Sequence, residues 1–148
     1  MVTKSELIMR RVALLYAIMF SGAVSVFIFL PGPMFDAINV VSRGLFPALP
    51  LASDSGKFWV ALTASMMATI TALSILIYRD VRKNYHLAIP IAVAKFTSSL
   101  MGLAFFIGGF VAPATGWNTL ANGIILLTDL PLGIVILLVY RWVDRERA

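Results

Sequence analysis

The chain has 148 residues, of which 60% are hydrophobic and only 13% charged, with a net charge of +5. A soluble domain carries about 25% charged residues, and a soluble chain this short has no interior large enough for so much apolar surface. The absence of cysteine excludes disulfides, thiol catalysis and thiolate metal sites, and a single histidine, His86, excludes a His-rich metal site.

The residues therefore predict an integral membrane protein, all-α and of one domain. Thr3 and Glu6 have the spacing of a capping box, which predicts a helix start near Thr3. Val12 to Leu30 is nineteen residues without a charge. At roughly 1.5 Å per residue it crosses a hydrocarbon core of about 30 Å. A signal-peptide apolar run is shorter, about 7–15 residues, so this run is read as a retained first span over about 10–31.

Pro31, Pro33, Pro47 and Pro50 bracket a segment of mixed character. Within it Met34, Ile38, Val41 and Leu45 share one helical face, and Asp36, Asn39 and Ser42 lie away from that face. The pattern predicts a short amphipathic helix over 33–46, lying at the outer membrane interface between spans one and two. Ser53 to Trp59 supplies N-cap candidates, then an interfacial tryptophan. The second span, about 58–79, is rich in small and hydroxyl residues that permit close helix contact. The basic turn Arg79 to His86 makes spans two and three antiparallel neighbours. Span three covers about 86–111, with Pro90 in its first turns. A tight turn at Ala112 to Asn118 leads into span four, about 118–141, which Pro131 is expected to interrupt before a charged tail.

Four spans sort the charges. Lys4, Arg10, Arg11, Arg79, Arg82, Lys83, Arg141, Arg145 and Arg147 fall on one side, and only Arg43 and Lys57 on the other. Nine against two predicts both termini in the cytoplasm, in a plasma (inner) membrane protein. Trp59 and Trp117 mark the outer interface, and Tyr78, Tyr85, Tyr140 and Trp142 the inner one. Because the bases gather at span ends with no aromatic-lined groove, no nucleic-acid partner is expected.

Two charges remain inside the apolar runs, Lys95 and Asp129. Lys95 lies roughly 14 Å above the inner end of span three, and Asp129 roughly 18 Å above that of span four. The depths differ by about one helical turn or less, within reach of a lysine. A lone charge there costs a few kcal/mol or more, so the two are expected to pair. Ser98 and Ser99 flank Lys95, Asn122 lies two turns from Asp129, and Thr71 on span two is a further candidate for this polar site. Pro131 removes the usual donor to the Leu127 carbonyl beside it.

Three functional classes fit. The first is a non-enzymatic accessory or scaffold subunit in which the pair sets helix register. The second is a carrier of protons, ions or a polar solute, with Lys95, Asp129 and Asn122 on the path. The third is a lipid-binding module or membrane enzyme. No cofactor is implied, and the expected partners are the lipid bilayer and either a second copy or another membrane protein.

Overall fold

A computed structural model describes residues 3–52, 57–116 and 118–148, with residues 57–59 described for their backbone only. The expectations for the caps at Ser53 to Ser55, for the Lys57 and Trp59 side chains and for Trp117 fall outside the described residues. The described chain is helical: α1 (Lys4–Phe29), α2 (Pro31–Leu45), α3 (Lys57–Arg79), α4 (Val81–Asn84), α5 (Ala88–Val111) and α6 (Leu120–Arg147). Short 3-10 turns at Tyr85–Leu87 and Pro113–Thr115 complete it. Four helical segments are long and apolar enough to cross a membrane.

The helix ends follow from local chemistry. Thr3 caps α1 in both directions: its hydroxyl accepts the Glu6 amide at 3.2 Å, and its own amide donates to Glu6 at 3.0 Å. Leu30, just before a proline, leaves the helical region at φ −134°, and Pro31 opens α2 where its missing N–H costs nothing. Asp80 ends α3 and caps α4, accepting the Lys83 amide at 3.1 Å. Gly116, at φ +62°, makes the left-handed turn between α5 and α6.

Pro131 does not interrupt the last helix. α6 runs unbroken from Leu120 through Arg147, so the expected charged tail is its final turns. A proline removes one bond of a ladder whose neighbours remain, a loss that apolar helices tolerate. Asn118 lies before α6, which begins at Leu120.

α1 packs along α3, and α5 along α6; these two pairs meet chiefly through α1 and α6. Contacts from Ser5 to Glu146 and from Tyr16 to the Leu132 carbonyl run in opposite chain directions, so α1 and α6 are antiparallel. Buried positions step by three and four, the spacing of interlocking helices: Glu6, Met9, Ala13, Tyr16 and Phe20 on α1; Ile70, Ser74, Ile77 and Val81 around the end of α3. On α5 the stripe is Ala88, Ala92, Lys95, Ser99, Gly102 and Gly109. The core gathers toward the end that holds both termini and the 80–87 turn. There Glu6 pairs with Arg82 at 3.3 Å, and Arg147 donates to the Arg82 carbonyl at 2.6 Å.

α2 turns its polar side to the protein. Ser42 is buried, and Asn39 exchanges two hydrogen bonds with Ala52, at 2.8 and 2.9 Å. Val41 and Leu45, from the predicted apolar face, are exposed.

Candidate functional site

The residues around Lys95 come from three helices. On α5, Lys95 falls on the stripe that faces α6, and its side chain is only 2% exposed. Glycine opposite makes this possible: a Cβ at Gly133 would sit 3.2 Å from the Lys95 Cβ and 3.3 Å from the Phe96 ring. The two backbones thus approach closely where a long side chain must turn between them.

Lys95 Nζ donates to Asp129 Oδ1 at 2.9 Å. The Ser98 hydroxyl donates to Asp129 Oδ2, so both carboxylate oxygens are engaged. Asp129 keeps 13% side-chain exposure. From α1, the Phe20 ring covers the ammonium, with Nζ 4.0 Å from the ring centroid. An aromatic face attracts a desolvated cation, worth about 2 kcal/mol where water is excluded. One helical turn earlier, the Tyr16 hydroxyl donates to the Leu132 carbonyl of α6, and the Tyr16 and Phe20 rings meet at 5.7 Å. A cation, an anion, a hydroxyl and an aromatic face therefore form a neutral, enclosed cluster that ties α1 to the α5–α6 pair.

No protein-family model, curated protein or solved structure matches this chain. The chemistry of the residues themselves is what bears on their role. Among the described residues, no group of three or more His, Asp or Glu is placed to hold a metal ion.

The other sequence candidates fall in different places. The Ser99 hydroxyl lies 3.4 Å from the Leu126 carbonyl and serves the α5–α6 seam. Asn122 lies two turns along α6 from Asp129, where its backbone carbonyl sits 2.9 Å from the position of a Cβ on Gly102. Thr71 belongs to the other helix pair. Its hydroxyl donates to the Met67 carbonyl of its own helix at 2.9 Å, and it lines a shallow groove of about 240 Å³ between α1 and α3 with Ser21, Ser25 and Ala68.

Phe20 and Tyr16 were not among the sequence candidates. Aromatic residues in an apolar run carry no local sign of a polar task. The available signal was positional: Met9, Ala13, Tyr16 and Phe20 recur at three- and four-residue steps, marking one inward face of α1.

Proposed function

We propose that this chain is a small four-span membrane protein that acts without catalysis, as an accessory or scaffold subunit, and that its Lys95–Asp129 pair fixes which helix faces meet. The observation that carries this reading is the enclosure of the pair. Lys95 contacts Asp129 on α6 and Phe20 on α1 at once, so one side chain specifies the docking of both helix pairs. A buried ion pair is a poor source of net stability, because desolvation offsets the Coulomb attraction, but it penalises every arrangement that leaves either charge alone.

The bilayer reading rests on four long apolar helices and on the sorting of charge. Both termini and the basic 80–87 turn share one end, which is assigned to the cytoplasm because nine bases gather there. α2 is assigned to the outer interface: its exposed Val41 and Leu45 suit lipid, while Asn39 and Ser42 turn inward. The partners are the bilayer and a second copy or another membrane protein.

The residual exposure of Asp129 favours one rival, a carrier using Lys95, Asp129 and Asn122. Flux through liposomes separates the two. Wild type and the Lys95→Met/Asp129→Leu double variant should leak protons and cations equally, and a pair-dependent flux would favour the carrier. Mild-detergent purification tests the subunit role itself: co-elution with a second copy or a membrane protein is expected, and a lone monomer contradicts it.

A further inference from the structure

The end that holds the termini carries nine basic residues and four carboxylates, Glu6, Asp80, Asp144 and Glu146. Every one of those carboxylates already has an internal task. Glu6 pairs with Arg82 at 3.3 Å, and Asp80 accepts the Lys83 amide at 3.1 Å. Asp144 accepts the Tyr85 hydroxyl at 3.2 Å, and Glu146 accepts the Ser5 hydroxyl at 2.5 Å. Arg82 and Arg147 are built into the same mesh, Arg147 also lying over the Tyr85 ring at 4.9 Å. The remaining bases get no internal counter-charge: among the described residues none of Lys4, Arg10, Arg11, Arg79, Lys83, Arg141 and Arg145 is in an ion pair. All seven are exposed.

Two of them lie at the same end of the α1–α3 pair. The Arg10 guanidinium of α1 lies 4.8 Å over the Tyr78 ring of α3, and Arg79 directly follows Tyr78. A guanidinium over an aromatic face is held there by cation–π attraction and carries five N–H donors, more than enough to serve an oxyanion as well. Arg10 lies just before the charge-free run that starts at Val12 and Arg79 ends α3, so on the four-span reading both fall at the headgroup level.

We infer that Arg10 and Arg79, flanking Tyr78 at the inner rim of the α1–α3 pair, bind the phosphate headgroup of an anionic phospholipid in the surrounding bilayer. The inference rests on the four-span reading above. A lipid, and not a soluble phosphate, is the occupant because the site is continuous with the exposed apolar flank of α1, including Leu7, Leu14 and Ile18, against which acyl chains lie. The charge balance favours an anionic headgroup over a zwitterionic one, a basic residue in contact with the headgroup contributing about five-fold in affinity.

Native mass spectrometry of the full chain, offered phosphatidylglycerol and phosphatidylcholine in equal amounts, tests this. Wild type should retain phosphatidylglycerol about five-fold or more over phosphatidylcholine. Arg10→Gln/Arg79→Gln should lose that preference, and Arg10→Lys/Arg79→Lys should keep most of it. The glutamine variant leaves seven bases on that side, so its orientation is preserved, and its melting midpoint in phosphatidylcholine nanodiscs should match wild type. Inorganic phosphate should give no melting shift in lipid-free detergent. Equal retention of the two lipids by wild type, or a preference that survives the glutamine pair, overturns the inference, and so does a shift with free phosphate. Failure of the chain to insert into bilayers of either lipid would instead overturn the four-span reading; insertion without anionic preference overturns only the lipid site.

Discussion

The two helix pairs are built differently. α5 and α6 meet over small residues and one ion pair. Gly102 and Gly133 each sit where a Cβ would crowd the opposite helix, Gly109 sits where one would meet Asn118 just before α6, and Lys95 reaches Asp129 across the seam. α1 and α3 bury apolar side chains of mixed size, Met9, Ala13, Ile70 and Ile77 among them, and leave a groove where the Ser25 and Thr71 hydroxyls bond within their own helices. The first seam is specific, since a register shift strands a charge or collides a backbone. The second is permissive, since apolar side chains exchange partners at low cost. Specificity is thus concentrated in the last two long helices, and Phe20 and Tyr16 carry it across to α1.

The two seams differ most at the charges. Lys95→Met or Asp129→Leu alone leaves one buried charge unpaired and should cost about 3–5 kcal/mol in reversible detergent unfolding. A loss below about 1 kcal/mol would mean that water already reaches the pair. Next comes Gly109→Ala. Its Cβ would fall 2.2 Å from the Asn118 amide nitrogen, so backbone must move, at a cost of about 1–3 kcal/mol. Wild-type stability in that variant would show that the Asn118 end of the α5–α6 seam is loose. Tyr16→Phe removes the hydrogen bond to Leu132 and should cost about 0.6–1.7 kcal/mol, read from the same unfolding curves. Smallest is Thr71→Val in the permissive seam, within about 0.5 kcal/mol, because its hydroxyl serves only its own helix.

Much of this contrast is legible in the residues, and the reasons differ by element. Lys95 and Asp129 stand out because charge is rare in apolar runs, and counting from the loops puts them at matching depth. The cap at Thr3 and Glu6 is legible because it is local. The continuity of α6 through Pro131 is not, since a proline's local cost says nothing of the packing that offsets it. Phe20 is hidden for a related reason: a contact between α1 and α5 is non-local, and only the three-four stripe on α1 hints at it. Thr71 misleads in the opposite way. A hydroxyl in an apolar helix looks like a site component, yet the carbonyl one turn back in its own helix is the nearest acceptor.

A double-mutant cycle on unfolding stability asks whether Lys95 and Asp129 act as one unit that sets helix packing. With Lys95→Met, Asp129→Leu and the two combined, a coupling of about 2 kcal/mol or more is expected, the double variant recovering much of what each single loses. Losses that simply add would contradict it, because each residue would then be acting alone.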